Sequence, residues 1–178
     1  ISTLFTNIYP ILIGKFFPTA ILGYYTRADT LKQFPANSIS GILHKVTYPL
    51  FAEIKDDNDI LKGVYKRVLR MTIFFISPVL LIMSAVATPM FEFLFTAKWL
   101  PAVPFFRILC FAGILYPIHA YNLNILNVLG RSDLVLKLEV IKQVLVIIVV
   151  LISFNFGIYG LLYGSVLMSI LALWINSY

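Results

Sequence analysis

The sequence predicts an all-α fold, a polytopic transmembrane helix bundle of about six spans, and three observations carry that prediction. The first is run length. Met71 to Phe91, Ile108 to Gly130 and Gln143 to Tyr178 contain no charged side chain, and helices in water-soluble proteins rarely hide that much apolar surface. The second is composition: 60% of the 178 residues are hydrophobic and only 12% are charged. That is about half the charge of an ordinary soluble domain, so lipid takes the place of water as solvent. The third is where the net charge of +6 lies. The basic residues form short clusters between the apolar runs, the pattern of a membrane topology signal and not of a nucleic-acid-binding face.

The spans are expected at about 1–14, 21–51, 71–95, 105–129, 134–154 and 158–178. The first is short against the roughly 20 residues a crossing helix needs. The chain opens on Ile1 inside an apolar stretch and closes without a polar tail, so it reads as a piece of a longer polytopic protein. Pro18 breaks the chain before the second span, which is long enough to cross with a kink at Pro35.

Asp56, Asp57 and Asp59 then precede a basic amphipathic helix, where acidic groups suit the helix N-terminus. Lys62, Lys66 and Arg70 share one face of it, and Leu61, Val64 and Val68 another. It is expected as an interfacial lead-in to the third span, with binding to lipid headgroups as the alternative. The third span carries Pro78 and Pro89 and leaves the membrane at Lys98-Trp99. Gly130 ends the fourth, and Asp133 is expected to cap the helix that becomes the fifth. Asn155, Gly157 and Gly160 turn the chain into the sixth.

Orientation follows from the cations. Lys55, Lys62, Lys66, Arg67, Arg70, Arg131, Lys137 and Lys142 lie on one side if every span crosses, against Lys15 and Lys98 on the other. The positive-inside rule places the larger group in the cytoplasm.

Charge inside the second span needs its own explanation. Asp29, Gln33, Asn37, Ser40, His44 and Thr47 follow at steps of three and four, which aligns them along one helix face. Unpaired polar groups are costly in lipid, so this stripe faces a hydrated cavity or a seam with other helices. Lys32 stands three residues from Asp29, within pairing reach. Arg27 either joins the polar set or snorkels to the outer interface, and Lys45 snorkels at the other end. The fourth span adds Tyr116, His119 and Asn122 beside Pro117, as cavity residues or as interhelical glue.

No Gly-rich phosphate loop, paired metal-spaced histidines or Cys/His dyad is present, so neither an enzyme nor a cofactor is indicated. The lone Cys110 builds no disulfide or metal site.

The stretches "LGYYTRA" (22–28), "YPLFAEIKDD" (48–57) and "KWLPAVPFFRILCFAGILYPIHAYNLNILNVLGRSDLVLKLEVIKQ" (98–143) carry a resemblance. Across nearly the whole chain the sequence resembles the Wzx-type lipopolysaccharide and O-antigen flippases of the multidrug/oligosaccharidyl-lipid/polysaccharide exporter superfamily. It departs from their pattern at "KFFPTAI" (15–21), where a smaller and more acidic connection is usual.

The resemblance implies a two-lobe exporter of the bacterial inner membrane, with this chain as six helices of the second lobe. The implied cargo is an undecaprenyl-diphosphate-linked oligosaccharide, with a proton or Na+ as coupling ion and membrane lipids as surroundings. Arg27 and Lys32 then answer the phosphates, and Gln33, Asn37, Tyr116 and Asn122 meet sugar hydroxyls. Asp29, His44 and His119 suit the coupling ion. A cation-coupled multidrug exporter and a membrane-embedded polysaccharide polymerase are the competing readings.

Overall fold

The computed structural model describes residues 8–54 and 57–176. Its α-helices are α1 (Ile8–Phe16), α2 (Thr19–Glu53), α3 (Asn58–Ala85), α4 (Ala87–Phe95), α5 (Val103–Val128), α6 (Ser132–Phe154) and α7 (Gly157–Asn176). A 3-10 segment, Ala97–Ala102, joins α4 to α5. The first part of the expected first span, residues 1–7, lies outside the described residues, as do Lys55 and Asp56.

Among the described residues three stretches are long and apolar enough to cross a membrane: Asp59–Ala85, Ala97–Leu115 and Gly157–Ile175. The other long helices differ for a definite reason. Helix α2 carries Arg27, Asp29, Lys32 and Lys45, and α6 carries Lys137, Glu139 and Lys142. Both have the length to cross, but each keeps polar groups that only protein or water can accommodate.

Local chemistry sets the helix ends. Pro18, which has no N–H to lose, stands before α2 with φ −55° and ψ 144°. Its carbonyl accepts from the Ile21 N–H at 2.9 Å. Asp57 caps α3, its carboxylate accepting from the N–H groups of Asp59 and Ile60 at 3.1 and 3.0 Å. Gly130, at φ +69°, closes α5 in the left-handed conformation. The Arg131 N–H then reaches back to the Leu126 carbonyl at 2.9 Å, the long bond of a Schellman ending.

This ending runs straight into α6, which corrects the expected cap. The N-cap is Arg131, without a side-chain cap bond, and Asp133 sits in the first turn. There it favours the helix dipole and lies 3.7 Å from Arg131 Nε.

The apolar stretch 71–95 is divided between two helices. Pro89 removes the donor to the Ala85 carbonyl and its ring crowds that carbonyl, and α3 ends at Ala85. Arg107 of α5 spans the break. Its guanidinium donates to the Ser84 carbonyl at 3.3 Å and to Thr88 Oγ1 at 3.2 Å. Pro78, by contrast, is carried within α3. After α4, Thr96 reverses the chain at φ +74°, a conformation rare for a β-branched residue.

Helix α5 is the centre of the bundle and packs on α2, α3, α6 and α7. Its Phe105, Phe106, Leu109 and Cys110 are buried, together with Ala28 of α2, Ile76 and Leu80 of α3, Phe91 of α4, and Leu161 and Leu162 of α7. The outer surface carries many large apolar side chains. Phe74 is 71% exposed, Phe93 89% and Trp174 73%. Water would penalise such a surface heavily, whereas acyl chains suit it.

A second cluster lies where α2 ends and α3 begins. Phe51, Leu61 and Tyr121 are buried, with Val64, Val68, Leu69 and Ile125 packed against them. The apolar face of the α3 lead-in therefore rests on α2 and α5. The face expected to be apolar is thus covered by protein, while the basic face with Lys62, Lys66 and Arg70 stays exposed.

Candidate functional site

Asp29 is the hub of a compact polar cluster on α2. One carboxylate oxygen accepts from Lys32 Nζ at 2.5 Å and the other from Gln33 Nε2 at 2.6 Å. The spacing of three and four residues puts both donors one turn further along the same helix. The Lys32 and Asp29 side chains are 15% and 22% exposed, so the pair is partly withdrawn from solvent but reachable.

A residue with no polar signal makes room for the lysine stem beside α5. Gly113 of α5 faces the Lys32 stem, and a Cβ there would come within 3.0 Å of Lys32 Cγ and 3.1 Å of Leu80 Cδ1. The absent side chain leaves a slot along which the lysine stem lies. In sequence Gly113 is a lone glycine inside an apolar helical run, and only that anomaly marks it.

Arg27, two residues before Asp29, is not on the same helix face and lies over two aromatic rings instead. Its guanidinium carbon lies 4.9 Å from the centre of the Phe95 ring and 5.1 Å from that of Trp99. Tyr24 meets Trp99 edge-on at 6.0 Å. An exposed arginine held over two rings combines cation–π attraction with access to water. Arg27 and Lys32 are therefore distinct: one is free at its polar end, the other is paired.

The remaining stripe residues do not share one environment. Gln33 and Asn37 are exposed, while Thr47 is buried. The side chains of Ser40, His44, Tyr116 and His119 lie outside the described residues. Asn122 belongs to the α3–α5 seam, where its Oδ1 accepts from the Tyr65 hydroxyl. Nearby, Thr72 donates to the Val68 carbonyl at 2.9 Å and lies 3.4 Å from the Tyr121 hydroxyl. Tyr65, Thr72 and Tyr121 carry no signal of their own in the sequence, since the contacts that join α3 to α5 are between residues distant along the chain.

A groove of about 450 Å³ runs between α6 and α7, lined by Ile152, Ser153, Phe156, Tyr159 and Tyr163 among others. Its lining has no charged group, and it is separate from the Asp29 cluster. Among the described residues no three His, Cys, Asp or Glu side chains converge on a metal site.

Comparison with known proteins sets this cluster in context. The family described as "Polysaccharide biosynthesis protein" matches residues 1–104, more than half of the chain. The chain belongs to that family. It is similar to the teichuronic acid biosynthesis protein TuaB of Bacillus subtilis, 31% identical over 134 residues, which cover 75% of this chain and 28% of the relative. It is also similar to the lipopolysaccharide biosynthesis protein WzxC of Escherichia coli, 26% identical over 172 residues, covering 96% of this chain and 35% of WzxC.

An uncharacterized membrane protein of the cps region of Klebsiella pneumoniae is 23% identical over 142 residues, or 80% of this chain and 29% of that protein. The Wzx-type resemblance seen in the sequence is thus shared by relatives of the polysaccharide biosynthesis protein family. The chain spans about a third of the length of these relatives. No solved structure matches it.

Proposed function

We propose that this polysaccharide biosynthesis protein works as part of an inner-membrane exporter. It would move an undecaprenyl-diphosphate-linked oligosaccharide between leaflets, with this chain supplying six spans of one lobe. The observation that carries the proposal is the Asp29–Lys32–Gln33 cluster on α2, polar groups within a bundle that exposes many large apolar side chains. A diphosphate crossing a bilayer needs cations and donors in place of water. Lys32 offers that charge, yet Asp29 occupies it at rest. A phosphate that enters competes with the carboxylate for the ammonium, and a proton or Na+ on Asp29 shifts the competition toward the phosphate.

Arg27, exposed and held over Phe95 and Trp99, offers the anion a second cation. Gln33 and Asn37, both exposed, are placed to meet sugar hydroxyls. The same cations disfavour a cationic drug as cargo.

Accessibility tests the cavity. In the full-length protein, on a background without other reactive thiols, cysteines at 33, 37, 40 and 44 should react with water-soluble thiol reagents. Cysteines at 31, 39, 42 and 46 should not. Equal protection of both sets would make the polar stripe a structural seam and end the proposal.

Sidedness is tested separately. Cysteines at 58 and 131 should be labelled only from the cytoplasm, and one at 97 only from the opposite side. Outside labelling at 58 would reverse the orientation and the direction of transport.

A further inference from the structure

We propose that the basic face of α3 is a binding surface for the headgroups of anionic phospholipids. It depends only on α3 crossing the membrane and holds whatever the protein transports. Lys62, Lys66 and Arg70 follow at four-residue steps, and the next residue on that row is Phe74, 71% exposed. The adjacent row runs from Arg67 to the exposed Met71 and Phe75. Both rows change from cation to exposed apolar side chain between Arg70 and Met71. Such a change marks the boundary between headgroups and hydrocarbon.

Depth then separates the four cations. At 1.5 Å per residue, Arg70, Arg67 and Lys66 lie within about 8 Å of Met71 along the axis, and Lys62 about 14 Å away. A headgroup layer is about 5–8 Å deep on each side of the bilayer. The first three cations therefore lie among the headgroups, and Lys62 lies beyond them in water.

Topology alone needs only a count of charges, but here the cations form a fixed array. The opposite face of the same turns, through Leu61, Val64, Val68 and Leu69, is packed against Phe51, Tyr121 and Ile125. The helix cannot roll, so its cations are already arranged before any lipid arrives. All four are exposed. Among the described residues none has a carboxylate within ion-pairing distance, and the nearby Asp57 carboxylate is engaged in capping. Charge complementarity and depth both select an anionic headgroup.

The test uses the full-length protein in vesicles, on a background without other reactive thiols, with Met71→Cys carrying a bimane label. Quenching by phosphatidylglycerol with a nitroxide near the top of one acyl chain is compared with quenching by the matching phosphatidylcholine. The wild-type face should prefer phosphatidylglycerol. Lys66→Gln, Arg67→Gln and Arg70→Gln should each lower that preference about fivefold, since a surface cation contributes about that factor. Lys62→Gln should lower it less. Arg67→Lys and Arg70→Lys should retain the preference, and Lys137→Gln on α6 should leave it unchanged. Equal quenching by the two lipids in the wild type would overturn the proposal, as would a Lys62→Gln loss as large as that of Arg70→Gln. Displacement of phosphatidylglycerol by millimolar pyrophosphate would also overturn it, making the face a phosphate subsite for the cargo.

Discussion

Lys32→Glu is expected to abolish export by the full-length protein, while Lys32→Arg retains most of it. The reversal places two carboxylates where Asp29 and Lys32 now lie 2.5 Å apart. Breaking a withdrawn pair costs about 3 kcal/mol, reduced somewhat here by the residual exposure of both groups, and the cation that would meet phosphate is lost as well. Gly113 supplies an independent way to move Lys32 without changing its charge. Gly113→Ala should be nearly neutral. Its Cβ crowds Lys32 Cγ at 3.0 Å, but alanine recovers up to about 1 kcal/mol of helix propensity. Gly113→Leu cannot be accommodated by either neighbour and should cost about 2 kcal/mol or more in packing. It should also lift the ammonium off Asp29. Export per molecule in a lipid-linked oligosaccharide assay should therefore fall in the order Gly113→Ala, Gly113→Leu, Lys32→Glu. If Gly113→Leu transported normally at normal abundance, the Lys32–Asp29 geometry would have no part in transport.

Gly160→Ala is expected to be the most damaging of the glycine-to-alanine changes among the described residues. Helices α6 and α7 form a hairpin in which a Cβ at Gly160 would lie 2.3 Å from the Ser153 carbonyl oxygen and 2.5 Å from Phe156 Cβ. Backbone cannot step aside, so the hairpin must open, at about 2–3 kcal/mol. The gain in helix propensity is smaller than that. At Gly164 the nearest obstacle is Ser153 Oγ at 2.5 Å, with Ser153 Cβ at 3.1 Å. Gly164→Ala should therefore be relieved by Ser153→Ala, and Gly160→Ala should not. Thermal unfolding of the three single and two double variants in detergent checks this. Equal rescue at both positions would mean that the hairpin is not held by this contact. Small residues at four-residue spacing are a usual device for close approach of membrane helices, and here the approach is within one hairpin.

The features that could be read from the sequence are those set by neighbours along the chain. Pro18, Asp57 and Gly130 act on groups within a turn of themselves, and each does so at the helix end where the sequence places it. The Asp29–Lys32 pair is legible for the same reason, because spacing alone brings the groups together. Pro89 also acts locally. Even so, the break at Ala85 is hidden by unbroken hydrophobicity across it.

What could not be read depends on where α5 crosses its neighbours. Helical periodicity puts Asn37 and Thr47 on one stripe, but only packing leaves the first exposed and the second buried. Tyr65 and Asn122 are 57 residues apart, and nothing local links them. The apolar face of the α3 lead-in was visible as a face. Its partner, protein and not lipid, was not.

The local character of the Asp29 cluster bears on how the chain enters the membrane as it is made. Both bonds to Asp29 come from within α2, three and four residues on, and need no other helix. A lysine or an aspartate alone near the middle of a span raises the cost of insertion by about 2.5–3.5 kcal/mol. Paired within one turn, the two present little net charge to the translocation machinery. The Asp29–Lys32 pair can therefore enter the bilayer as a nearly neutral unit while α5 is still unsynthesised. The slot at Gly113 then receives a lysine stem already folded back, so neither Asp29 nor Lys32 has to meet lipid as a bare charge.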